Sequence, residues 1–169
     1  MANIAFGNAE KYGYTLAYWE TRMLQEEALE RVVAKGGAVA ADAIRQEIDS
    51  LPEEAFRHLG EGESFRGVPK AEKRDLQDHF GLTKIKRDKD GFLHTKAGFH
   101  GYGWRKTKKY PKGMPIPWLA RTINSGTSFR AKNPFVTRAV RKAMKPAIAA
   151  MQAALDEELA DIFNFNNRR

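Results

Sequence analysis

A chain of 169 residues is long enough to bury one hydrophobic core and too short for two, and its 30% of charged residues point to a heavily solvated or partner-facing surface. The lack of any cysteine excludes disulfides, thiolate catalysis and multi-thiolate zinc sites. The net charge of +8 is unevenly spread: Gly91 to Leu155 holds no Asp or Glu against thirteen Lys and Arg, whereas residues 9 to 63 hold twelve acidic and six basic side chains. Segregation of this kind concerns partners and not fold, because complementary fields steer association.

The opening residues MANIAFGNAEKYGY lack a basic patch followed by an apolar run, so no export signal is expected. No stretch approaches the roughly 18 apolar residues of a membrane span, and no membrane contact is expected either. From Glu10 to Leu51 apolar residues recur at three- and four-residue steps, among them Leu16, Trp19, Met23, Val33, Ile44 and Ile48, which predicts a long amphipathic helix closed by Pro52. Gly36 and Gly37 each cost about 1 kcal/mol relative to alanine in a helix, so a bend or break is expected there.

Residues 53 to 68 carry several glycines and no period, which predicts a flexible insertion. Pro69 then opens a short helix for which Gly81 is placed as the C-terminal cap. Two alternating runs follow, joined by Asp88-Lys89-Asp90-Gly91, and Asp-Gly between such runs predicts a β-hairpin over about 82 to 99. Residues 100 to 115 form a long basic loop, and Ile116 to Asn124 a short helix ended by Ser125-Gly126. Asn133 as cap and Pro134 in the first turn open a last helix running to Phe163, with its apolar face and Phe135 in the core and a kink near Met144 caused by Pro146.

Together these elements predict one α+β domain over residues 1 to 169. A small antiparallel sheet, with its hairpin at about 82–99, packs against a long N-terminal helix and a long kinked C-terminal helix.

Candidate chemistry is sparse. His58, His79, His94 and His100 lack metal-ligand spacing, and neighbouring carboxylates such as Glu26-Glu27, Glu53-Glu54 and Glu157-Glu158 would point about 100° apart on a helix. Ser125-Gly126-Thr127-Ser128 lacks the strand–turn–helix setting of a nucleophile elbow, and Gly98 to Gly103 lacks the Lys-Ser/Thr of a phosphate loop. No catalytic residue, metal ligand or cofactor is therefore expected, and the chain is read as no enzyme. Tyr102 to Tyr110, YGWRKTKKY, interleaves three aromatics with four cations, which suits stacking on bases and neutralising phosphate. The same composition also suits an acidic protein surface, or a loop anchored by its rings with its lysines in water.

The order of these elements resembles a known family. An amphipathic helix ending at a proline is followed by LTKIKRDKDGFLHTKAGF (Leu82 to Phe99), by a segment closing on Gly126-Thr127, by AKNPFVTRA (Ala131 to Ala139) and by a long last helix. This is similar to the neck or tail-completion proteins, the minor tail components, of long-tailed, lambda-like phages, over about residues 10 to 163. The sequence departs from that pattern at Thr122-Ile123-Asn124-Ser125, where an acidic residue and an aromatic are common, and by a longer insertion at 53 to 75.

The resemblance implies a structural virion protein at the head–tail junction, in the neck or at the upper end of the tail, made in the cytoplasm of a host bacterium. It implies partners as well: further copies in a ring, hexameric or dodecameric, adjacent neck, connector and tail-tube proteins, and packaged double-stranded DNA in the lumen. The interface or DNA-facing candidates are Trp104, Arg105, Lys106, Lys108, Lys109, Lys112, Arg130, Lys132, Arg138, Arg141 and Lys142. The alternative is a basic nucleic-acid-binding protein that contacts phosphate through the 102 to 110 loop, helped by Arg138, Arg141 and Lys142.

Overall fold

The computed structural model describes the chain from residue 26 to residue 166, with side chains to residue 160. Its elements in chain order are α1 (Glu26–Asp49), α2 (Lys70–Asp78), β1 (Phe80–Leu82), β2 (Lys86–Arg87), β3 (Leu93–His94), β4 (Ala97–Phe99), α3 (Ile116–Ser125) and α4 (Phe135–Asn166). The fold is α+β, with the two long helices α1 and α4 packed on each other, the shorter helices gathered at the C-terminal end of α1 and the hairpin laid back along it, so that Arg87 reaches Glu26 at 3.4 Å. Residues 10 to 25 of the expected first helix lie outside the described residues.

The helix α1 continues through Gly36-Gly37 without interruption, which corrects the expected break. Tertiary contact outweighs the propensity cost here. A Cβ on Gly36 would stand 2.6 Å from Cγ of Met151 on α4, and one on Gly37 would stand 2.8 Å from Cγ2 of Thr95. The glycines are thus the points where α4 and the hairpin approach the α1 backbone. The pair runs antiparallel, with Arg31 on Glu158 through two bonds of 2.6 and 2.9 Å at one end and Glu47 against Arg138 at the other.

Small residues line the seam. Ala28, Gly36 and Ala41 on α1 face Ala139, Ala143 and Ala154 on α4, all buried. The apolar face that α4 gives to the core is accordingly made largely of small residues: Ala139, Ala143 and Ala154 go inward, while the larger Val140, Met144 and Ile148 stay outside at 50%, 58% and 47% exposure. Phe135 is fully buried as expected, joined through Phe99 (ring centroids 6.1 Å apart) to Phe80 (5.2 Å) at the base of the hairpin. Around it pack Ile44 and Ile48 of α1, Leu51 just beyond it, Leu76 of α2, and Ile116, Leu119 and Ile123 of α3.

The hairpin forms over the expected span. β1 pairs antiparallel with β4 (Phe80 with Phe99, Leu82 with Ala97) and β2 with β3 (Lys86 with His94), so three residues oppose two between the pairs. That is a one-residue bulge. Thr83 holds it: its N–H donates to the Lys96 carbonyl (2.9 Å), its Oγ1 accepts from the Lys96 N–H (3.0 Å), and its carbonyl accepts from the Thr95 hydroxyl (2.7 Å). At the tip Asp88 accepts from the N–H groups of Asp90 and Phe92, and Gly91 takes φ +88°.

Two expected caps are corrected. Gly81 lies inside β1; α2 ends at His79, whose N–H closes on the Asp75 carbonyl at 3.1 Å, so no left-handed residue is needed. Asn133 does not cap α4 with its side chain, which accepts from Arg138 Nη2 (2.8 Å). Instead Asn124 of α3 accepts from the Val136 N–H at 3.2 Å. Gly126 does end α3, at φ +79°. Pro146 lies within α4, where it lacks the N–H for the bond to the carbonyl four residues earlier, and the helix runs on through it.

The segment 53 to 68 is tied to the body. Val68 and Pro52 bond across it, the Glu54 carboxylate accepts from the N–H groups of Arg66 (2.7 Å) and Gly67 (2.9 Å), and Phe65 pairs with the strand-like stretch at Phe129 and Ala131. Among the described residues no helix is long and apolar enough to cross a membrane.

Candidate functional site

The basic loop is built as an irregular hairpin. Gly103 N–H donates to the Met114 carbonyl and Met114 N–H to the Arg105 carbonyl, both at 2.8 Å, while Thr107 and Tyr110 bond each other across the tip. Asp75 of α2 accepts from the Trp104 N–H at 3.0 Å and abuts Gly103, where any Cβ would collide with its carboxylate. The loop is therefore anchored through its backbone. Its side chains Trp104, Lys106, Lys108, Lys109 and Lys112 are left on the outside.

Between this loop, the 56–65 segment and α3 lies a cavity of about 690 Å³. Phe56, Tyr110, Trp118 and Phe129 supply aromatic walls, and Arg105 and Lys109 stand at them, Arg105 over the Phe56 ring at 4.5 Å and Lys109 over Tyr110 at 5.5 Å. Glu72 and Arg130 also line it. They form a buried ion pair at 2.7 Å, with the residues only 1% and 4% exposed, and Arg105 approaches the other Glu72 oxygen at 3.5 Å.

The candidate cations therefore separate into three groups. The loop cations and Lys132 are exposed or partly so. Arg130 is not: it lies inside, paired with Glu72. On α4, Arg138 (2.8 Å) and Lys142 both hold the buried Glu47 carboxylate, and Arg141 remains exposed beside them. Part of the basic stretch thus neutralises acids of its own chain. Sequence reading missed both Glu72 and the cavity. The available signal was Glu72 four residues before Leu76 on the inward face of a short helix, where an acid implies a buried partner.

Of the histidines, the β1–β4 pairing brings His79 and His100 together with ring centroids 5.8 Å apart, while His79 Nδ1 stands 3.0 Å from the Asp75 carbonyl. His58 lines the cavity. These placements assemble no nucleophile–base pair.

Three carboxylates are held below the usual range. The Lys142 ammonium is the largest cause at Glu47, opposed by burial and reinforced by Arg138; the Gly67 and Arg66 N–H groups act at Glu54, and Arg57 at Glu63. A depressed folded pKa means that the unfolded chain binds protons first. The stabilisation is complete above the ordinary carboxylate pKa of about 4.3 and is lost as pH falls through the lower folded values. The melting temperature should therefore hold from neutral pH to about pH 5 and decline below it, and Glu47→Gln should flatten part of that decline. An acid limb identical in the variant would contradict the assignment to Glu47.

A scan against protein-family models finds no match, and comparisons with curated proteins and with solved structures find none either.

Proposed function

We propose that this chain is a structural subunit of a tailed-phage virion, forming a ring at the head–tail junction that joins tail to head and lets DNA pass. The motifs from Leu82 to Phe99 and from Ala131 to Ala139 supply the phage part of the reading. The observation that carries assembly is the stripe Val140, Met144 and Ile148, apolar residues four apart on α4, exposed and flanked by the exposed Arg141 and Lys145. Large apolar side chains aligned on a surface helix mark an interaction face when they form a contiguous patch.

The polarity of the helix pair supports a head-to-tail mode. With 24 residues α1 is about 36 Å long, and its exposed acidic first turn, Glu26 and Glu27, lies at the opposite end from Arg141 and Lys145. Complementary surfaces at opposite ends make heterologous contacts, which close into rings when the rotation allows. The position within the junction, the sixfold or twelvefold symmetry and the neighbouring connector and tube proteins belong to the same proposal.

Light scattering on the purified chain, alone and with adjacent virion proteins, tests it. A ring is expected with the partners present, and Met144→Glu should abolish it while leaving the circular dichroism and melting temperature unchanged. A strict monomer at every concentration and salt level, with partners added, would overturn the reading.

A further inference from the structure

We infer that the cavity beside the basic loop is a socket for an unpaired base of single-stranded nucleic acid, with the phosphates running over the loop cations. On its walls Trp118 and Phe129 are 41% and 43% exposed, with Tyr110 set against Trp118 at a centroid distance of 6.0 Å, while the Phe56 ring is already covered by Arg105. Ring faces left in water are the feature on which bases stack.

The electrostatics select an anion. Glu72 is the one acid among the described lining residues and is held by Arg130 at 2.7 Å and Arg105 at 3.5 Å, so Lys109 is left to face an incoming phosphate. Outside the cavity Lys106, Lys108 and Lys112 extend the positive surface along the same loop. Such a track beside stacking faces is how single strands are held without strong sequence preference.

An acidic peptide would match the charge, yet it would leave the ring faces without flat partners, so the observations favour nucleic acid. Stacking within a duplex hides both faces of each base. A duplex should therefore fail to enter.

The test is fluorescence anisotropy of the full chain with short labelled oligothymidylate and oligouridylate strands and with a duplex of equal length. Single strands should bind about tenfold or more tightly than the duplex, with affinity falling steeply as salt rises. Trp118→Ala and Phe129→Ala should each weaken single-strand binding about fivefold or more, at unchanged melting temperature. Binding of either single strand supports the socket, and the tighter of the two names DNA or RNA as the source. Equal affinity for single and double strands, no effect of either variant, or binding only to a copolymer of glutamate and tyrosine would overturn it. The ring proposal rests on α4 and survives that failure.

Discussion

Glu72→Ala should destabilise the fold by about 3–5 kcal/mol, since removing one partner of a buried ion pair leaves the other charge uncompensated. The partner here is Arg130, 4% exposed, with Nη2 bonded to Glu72 at 2.7 Å and its other two side-chain nitrogens already unsatisfied. After the substitution the guanidinium would keep only its cost of burial. In a protein of this size each kcal/mol moves the melting temperature by about 2–4 °C, so a drop of roughly 10 °C is expected. The double variant Glu72→Leu with Arg130→Met should regain most of the loss, because replacing both members of a buried pair with apolar residues is often neutral or stabilising. Urea unfolding of the wild type, both single variants and the double variant closes the cycle. Additive losses in the double variant would show that the pair is not coupled.

That pair also shows where sequence reading reaches its limit. Hairpin, α2, α3 and the start of α4 are legible because their signals are local: Asp88 to Gly91 sets a turn, Pro69 and Pro134 set helix starts, and Gly126 at positive φ ends α3. Contacts over long separations leave no such mark. Glu72 and Arg130 are 58 residues apart, and nothing in the composition around Arg130 distinguishes it from the exposed cations on either side. The same holds for Gly36-Gly37, whose local cost argues for a break until Met151 and Thr95 are found against them. Nor does periodicity say which residues of α4 fill the seam: the glycine and alanines of α1 favour a close approach that Ala139, Ala143 and Ala154 fill, which leaves Val140, Met144 and Ile148 outside.

Phe135→Ala is expected to cost about 3–5 kcal/mol, the range for truncating a buried aromatic, and to fall near the upper end of it. The size of that cost depends on how far the surroundings collapse into the space, and several constraints resist collapse. Phe99 on one side is fixed by the β1–β4 pairing that sets Phe80 opposite it, and Ile44, Ile48 and Ile123 on the others belong to α1 and α3. Phe135 also begins α4, so its loss loosens the junction at which the last helix meets the hairpin. Phe135→Leu keeps more of the volume and should cost less than half as much. Phe92, 71% exposed at the hairpin tip, provides the control: its replacement by Ala should change stability by no more than about 0.5 kcal/mol. Chemical denaturation of the three variants reads the ranking directly, and a Phe92 effect equal to that of Phe135 would contradict the packing described for the core.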